Sequence, residues 1–209
     1  MGRKGQGSVM HRIVLLLVLS LTACEVYVPP IAGPGAGVLQ ARPKGMTSGS
    51  ASASFSHVVR AVEPVAEREC RVRSRGRNCD FLIRIDPDPK APANAYQSQD
   101  RTGRPVITFT KKMLAELSNP DELAFVMSHE AAHHIRGHLA RQEQNAISGA
   151  IILAGLATMA GASASDIVDA QDLGAMVGAR SYSKDFELEA DQLGTIITHQ
   201  AGFRPSVGV

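Results

Sequence analysis

The chain has 209 residues, of which 44% are hydrophobic and 20% are charged, and its formal net charge at pH 7 is +2. This length and composition predict one folded domain with a hydrophobic core. A net charge so close to zero excludes the strongly basic character of many nucleic-acid-binding proteins, so no nucleic-acid partner is expected.

Residues 1–24 are predicted to be an export signal that is removed from the mature protein. Basic residues precede a short apolar run at 13–19, which is too short to span a bilayer. The run leads into Leu-Thr-Ala-Cys, which resembles a bacterial lipobox and implies cleavage before Cys24 and lipidation of that cysteine. By resemblance to Gram-negative lipoproteins, Glu25 then favours the outer over the inner membrane. The alternative is an ordinary signal peptide with a chance cysteine.

The chain changes character near residue 55. Residues 25–54 are rich in Gly, Pro, Ala and Ser, and they are predicted to form a flexible tether between the lipid and the folded domain. Residues 55–69 carry apolar side chains at helical spacing. An amphipathic helix is therefore expected to begin the domain, which extends over 55–209.

Cys70 and Cys79 bracket a basic loop at 71–78. Export would place both cysteines in an oxidising compartment, where disulfides form and persist. A metal-binding role would need more soft ligands nearby, and the sequence has none. A disulfide that closes the loop is the favoured interpretation.

The next elements predict a small sheet within a helix-dominated α+β fold. One strand is expected at 81–85, where a Pro- and Asp-rich turn ends it. A second strand is predicted at 105–110, and a short helix at 111–117.

The helix that follows has a well-marked start. Asn119 is a good N-cap, Pro120 suits the first helical position, and Glu122 can close a capping box. Leu123 and the apolar residues after it continue at helical spacing.

Two turns into this helix lies the motif His129-Glu130-Ala131-Ala132-His133, which reads H-E-x-x-H. Two histidines four residues apart share a helical face, so both imidazoles can bind one metal ion. Glu130 lies beside that face, where its carboxylate can accept a proton from a water molecule that the metal activates. The pattern is typical of zinc peptidases.

A catalytic zinc site needs a third protein ligand. The extended pattern H-E-x-x-H-x-x-G-x-x-H would require glycine at position 136 and histidine at 139, but the chain has Arg136 and Leu139. His138 could line the site, although it is poorly placed as a ligand. A histidine is therefore rejected as the third ligand.

A later acidic helix offers the other kind of ligand. Ser183 can cap a helix in which Glu187 and Asp191 lie four residues apart and share a face, while Glu189 points elsewhere. One carboxylate of the pair can bind zinc and the other can hold a ligand histidine in place.

Between these helices, residues 146–164 carry no charge and approach the length of a membrane span. A span here would place the two metal-binding helices on opposite sides of a membrane. A buried or interfacial helical hairpin is therefore favoured over an integral membrane peptidase, and its small residues permit close helix contact.

The H-E-A-A-H motif and the later Y-S-K-D-F-E-L-E-A-D-Q-L-G segment together resemble the zinc metallopeptidases of the HtpX and CAAX prenyl protease type. The resemblance covers roughly residues 57–205 and implies a zincin-like fold with one zinc ion. It implies that Glu187 is the third zinc ligand and that Glu130 is the general base. Asp191 would lie next to Glu187 without binding the zinc itself. It also implies that the strand at 106–110 is the sheet edge that flanks the active-site helix and binds an extended peptide.

The resemblance predicts a zinc endopeptidase of the bacterial cell envelope. The enzyme would be lipid-anchored, would face the periplasm and would act on misfolded or unassembled proteins. The alternative is a periplasmic chaperone or assembly factor that keeps the zinc fold with little proteolysis. Retention of Glu130 beside a complete ligand set favours the peptidase, since a binding protein needs no base. Proteins of this type usually continue with further helices beyond residue 209, so a short or truncated member is expected.

Overall fold

The computed structural model describes residues 48–181 and 183–205, and the predicted export signal, Cys24 and most of the predicted tether lie outside these ranges. The described elements are α1 Ser48–Arg73, β1 Leu82–Ile85, β2 Ala95–Gln99, β3 Pro105–Phe109, α2 Lys111–Glu116, α3 Pro120–Arg136, α4 His138–Met159, α5 Ala164–Arg180 and α6 Ser183–Gln200. The fold is α+β and mostly helical with a small mixed sheet, as the sequence predicted.

The first helix begins earlier than its apolar pattern indicated. α1 starts at Ser48, so residues 48–54, which were assigned to the tether, are helical. The apolar face of α1 buries Val58 and Val62 completely and packs against α3. The ring of Phe55 meets that of Phe109 edge to face, with 5.7 Å between the ring centroids, so α1 also covers the sheet.

The sheet corrects one expectation. The strand order is β1-β3-β2, with β1 parallel and β2 antiparallel to β3. The prediction that residues 106–110 form the edge strand was wrong, because β3 is the central strand. All of its residues are buried, and such a continuous apolar run is typical of a strand covered on both faces. An edge strand does flank the metal-binding helix, but it is β2, which the sequence analysis did not predict.

The start of α3 follows the predicted capping pattern with one difference. The side chain of Asn119 accepts a hydrogen bond from the backbone N–H of Glu122. The Glu122 carboxylate returns to the backbone N–H of Ser118, at 2.7 Å, and not to that of the N-cap residue. α3 ends at Gly137, whose φ of 72° terminates the helix and turns the chain into α4.

α4 and α5 form a helical hairpin, but it is larger than the one predicted for residues 146–164, because residues 146–159 all belong to α4. Gly149 faces Gly174, and Gly178 faces Asn145, so closely that a β-carbon on any of these glycines would overlap the opposite backbone. The hairpin is not buried, because it exposes Ile147, Ile151, Ile152, Leu156 and Met159 on α4 and Val168, Leu173, Met176 and Val177 on α5. In the described ranges no helix is both long and apolar enough to cross a membrane.

The loop after α1 is closed by a disulfide between Cys70 and Cys79. His134 of α3 joins this loop to the metal-binding helix, since its Nε2 atom lies 2.8 Å from the carbonyl oxygen of Asn78. The ring of His134 also meets that of Phe81 edge to face. His134 is therefore a core residue that anchors α3.

Candidate metal and catalytic site

Three side chains from two helices converge at one point. The Nε2 atoms of His129 and His133, one turn apart on α3, are 2.9 Å apart. The Oε2 atom of Glu187, on α6, is 3.3 Å from Nε2 of His129 and 3.8 Å from Nε2 of His133. Ligand atoms on a tetrahedral zinc ion with bonds of about 2.0–2.1 Å are about 3.3 Å apart. The three atoms therefore have the spacing of a zinc-binding set.

The chemistry of these groups also fits a metal ion. Nδ1 of His129 is 2.9 Å from Oδ1 of Asp191, and an ionised carboxylate can only accept, so Nδ1 carries the proton. Nε2 of His129 is then the ring nitrogen left to bind a metal. Burial, with repulsion from His129 and His138, lowers the pKa of His133 to about 4, so its ring is neutral at pH 7. Imidazole lone pairs and a carboxylate oxygen thus face one another, an arrangement that a cation stabilises.

Close packing of α6 against α3 sets the separation of the ligands. Gly194 of α6 lies against the α3 backbone, where a β-carbon would be 3.0 Å from both N and Cα of His129. Leu193 and Ile197, on either side of Gly194, are fully buried. The missing side chain at Gly194 lets the two helices approach, so Glu187 and Asp191 can reach the histidines from one face of α6.

Glu130 lies at the boundary between α3 and β2. Burial raises the pKa of Glu130 to about 8, a hydrogen bond from the backbone N–H of Gln97 opposes this rise, and the negative charge of Glu187 adds to it. A cation bound by the neighbouring ligands would lower this pKa and favour the ionised carboxylate. Glu130, His133 and Glu187 line a cleft of about 220 Å³ together with residues of β2. The cleft offers one base beside the three convergent ligands.

Comparison with known proteins agrees with this geometry. Residues 54–208 match the family described as Peptidase family M48. The chain belongs to this family. The resemblance drawn from the H-E-A-A-H motif and the later acidic segment is thereby confirmed, and the chain is assigned to a metallopeptidase family.

A relative of this M48 domain is found in Vibrio cholerae serotype O1, where it carries the name "Putative beta-barrel assembly-enhancing protease". The two proteins are 30% identical over 138 residues. The matched region is 58% of this chain and 28% of the relative, so the chain spans less than a third of the length of that protein.

Sequence reasoning predicted that His138 could line the site, but it missed the polar cluster that this residue forms beside the ligands of the M48 domain. His138, at the start of α4, places its Nδ1 atom 2.8 Å from Nδ1 of His133. Its Nε2 atom is 3.3 Å from Oε2 of Glu189, which was expected to point elsewhere. Arg141 binds both oxygens of Glu189, at 2.8 and 3.2 Å. The sequence did carry one signal of this cluster, which is Gly137. A glycine there ends the helix, so the direction of His138 cannot be deduced from the helical spacing of the residues before it.

Proposed function

We propose that this chain is a zinc-dependent metalloendopeptidase of the bacterial cell envelope that hydrolyses misfolded or unassembled proteins. The observation that carries the proposal is the convergence of His129, His133 and Glu187 beside the half-buried carboxylate of Glu130. A ligand set with an adjacent base is what peptide hydrolysis at a zinc site requires, whereas a purely structural zinc site needs no base.

The residues divide the chemistry among them. His129, His133 and Glu187 would hold one zinc ion, which supplies the Lewis acidity that acidifies water and polarises the scissile carbonyl group. Glu130 accepts the proton of the attacking water and passes it to the nitrogen of the departing amine. Asp191 holds His129 through its Nδ1–H, so Nε2 of His129 stays directed at the ligand set.

The outer edge of β2 is the surface that would hold the substrate backbone. Thr110 donates its backbone N–H to the carbonyl oxygen of Asn94, and the antiparallel register then turns the backbone groups of Tyr96 and Ser98 toward β3. The backbone N–H and C=O groups of Ala95 and Gln97 therefore point away from β3. The backbone N–H of Gln97 donates to Glu130, which leaves its C=O and the backbone groups of Ala95 for a peptide. An extended peptide that pairs with this edge would therefore pass the catalytic carboxylate.

The envelope location rests on the sequence of the first residues and on the Vibrio relative. A lipid on Cys24 would tether the mature chain to a membrane, the outer membrane by preference, with the domain in the periplasm. The name of the relative refers to β-barrel assembly. Unassembled outer-membrane proteins are therefore the substrate class that we propose.

A second candidate function is that of a periplasmic chaperone or assembly factor. The exposed apolar side chains of the α4–α5 hairpin favour it, since such surfaces bind other proteins. The pairing of a ligand set with Glu130 favours the peptidase.

Casein cleavage separates the two functions. The chain without residues 1–24 is loaded with zinc and compared with Glu130→Gln, which keeps the ligands, and with Glu116→Gln, a matched change at an exposed glutamate of α2. The peptidase proposal expects cleavage by the parent chain and by Glu116→Gln, and at least a hundredfold loss in Glu130→Gln with one zinc still bound. If all three proteins bind one zinc and none cleaves casein, the chaperone function replaces the peptidase.

A further inference from the structure

His138 lies against the metal site without belonging to the ligand set. Its side chain is almost completely buried at the first residue of α4, between α3 and α6. One ring nitrogen faces a ligand histidine and the other faces a carboxylate, with Nδ1 2.8 Å from Nδ1 of His133 and Nε2 3.3 Å from Oε2 of Glu189. His138 is thus in direct contact with both metal-binding helices.

With both rings neutral and Nε2 of His133 left for a metal, one arrangement of protons satisfies His133, His138 and Glu189. Nδ1 of His133 and Nδ1 of His138 lie 2.8 Å apart and neither is a proposed metal-binding atom, so one of the two donates a proton to the other. A neutral His133 that keeps the lone pair of Nε2 for a metal must carry its proton on Nδ1, and it then donates that proton to Nδ1 of His138. The proton of His138 is consequently on Nε2, where it is donated to Glu189. The tautomer of the ligand histidine and that of His138 are therefore set together.

The position of His138 is fixed by packing as well as by hydrogen bonds. Its ring stacks on that of Phe186, with 4.7 Å between centroids and 9° between planes. The guanidinium group of Arg141 lies 4.4 Å from the centroid of the Phe186 ring and also binds both oxygens of Glu189. A bidentate pair of this kind holds a carboxylate in one orientation.

We propose that His138, Glu189 and Arg141 form a positioning relay that fixes the tautomer and ring orientation of His133 for metal binding. The relay does for His133 what Asp191 does directly for His129, with an imidazole interposed between the ligand and the carboxylate. His138 is a positioning residue and is not itself a ligand. The proposal rests on the proposed metal site, and it extends that site from α3 and α6 to the first turns of α4.

Zinc affinity tests the relay without any substrate. The full chain is compared with His138→Phe, which keeps an aromatic ring for the stack on Phe186 but has no nitrogen. A second variant, His138→Asn, keeps an acceptor oxygen near the position of Nδ1. His199→Phe is the matched control, because His199 is exposed on α6. Zinc dissociation constants are measured by chelator competition, and the visible absorption spectrum of the cobalt-substituted proteins reports ligand geometry.

The relay predicts that His138→Phe weakens zinc binding about 10- to 100-fold and alters the cobalt spectrum. His138→Asn should recover part of the affinity, and His199→Phe should match the parent chain. Circular dichroism of the metal-free proteins checks that each variant is folded. Parent-like affinity and spectra in both His138 variants would overturn the relay, as would a His138→Asn variant no better than His138→Phe.

A further variant keeps the test decisive if His138→Phe does not fold. Glu189→Gln retains the size of a partly exposed side chain but removes the charge that receives the His138 proton. The relay then expects a several-fold weaker zinc affinity, and an unchanged dissociation constant would refute it. The relay and the peptidase function fail separately, because affinity is measured without substrate and casein cleavage is measured on the zinc-loaded chain.

Discussion

Replacement of Gly194 by alanine is expected to separate the two metal-binding helices. The new β-carbon would lie 3.0 Å from both N and Cα of His129, well inside the optimal separation of about 3.5–4.0 Å between carbon atoms. Those atoms belong to the backbone of α3, so one helix must move. Overpacking of this kind costs about 1–3 kcal/mol. The higher helix propensity of alanine returns about 1 kcal/mol, which leaves a net destabilisation on the order of 1 kcal/mol.

A matched control separates the cost of overpacking from the gain in helix propensity that a change from glycine to alanine brings. Gly155 is an exposed glycine of α4, and a β-carbon there would meet nothing within 4 Å. Gly155→Ala should therefore stabilise the chain by about 0.5–1 kcal/mol. Urea unfolding of the metal-free proteins measures both changes, which should have opposite signs and differ by about 2 kcal/mol.

Zinc titration of the same proteins gives the functional readout. A displacement of α6 by a few tenths of an ångström carries Glu187 and Asp191 away from the histidines, so Gly194→Ala should bind zinc more weakly while Gly155→Ala should not. The reasoning is refuted if Gly194→Ala is as stable as Gly155→Ala and binds zinc with the parent affinity.

Three further predictions concern other contacts. Asp191→Asn should weaken zinc binding about 10- to 100-fold in chelator competition, and an unchanged affinity would contradict its role in holding a ligand. Loss of the Cys70–Cys79 disulfide, by substitution of both residues with serine, should lower the free energy of unfolding by about 2–3 kcal/mol for a loop of this length. The backbone N–H and then the side chain of Arg204 lower the pKa of Asp121. That contact therefore stabilises the fold above the usual aspartate pKa and is lost as pH falls through the lowered value. Asp121→Asn should cost about 0.5–1 kcal/mol at pH 7 and progressively less as pH falls below the usual aspartate pKa, and a cost independent of pH would contradict this.

The metal ligands could be predicted because they depend on local geometry. Two histidines one turn apart converge in any regular helix. The N-cap residue Asn119 indicated that a helix begins before these histidines. The pairing of Glu187 with Asp191 follows from the same helical spacing, although its assignment to this site came from the family resemblance. The structure places all four side chains together.

Features that depend on long-range packing were not predictable in the same way. Residues 95–99, Ala-Tyr-Gln-Ser-Gln, lack the apolar alternation of a half-buried strand, so β2 was missed and β3 was misplaced at the edge. The role of His138 depends on the turn at Gly137 and on Glu189, 51 residues away along the chain. Neither the turn nor that separation leaves a periodic pattern in the sequence.

The outward-facing backbone of β2 has a consequence for which proteins an enzyme with this site would cut. Pairing with a strand edge depends on main-chain amides, and every polypeptide carries those whatever its sequence. In a substrate protein whose strands are already paired in a sheet, the backbone amides are hydrogen-bonded to one another. In a substrate protein whose strands are not yet paired, the amides are free along the whole strand. Under the proposed function, selection would therefore be kinetic. The lifetime of the unpaired state, and not a preferred residue at the scissile bond, would decide which copies of one protein are degraded.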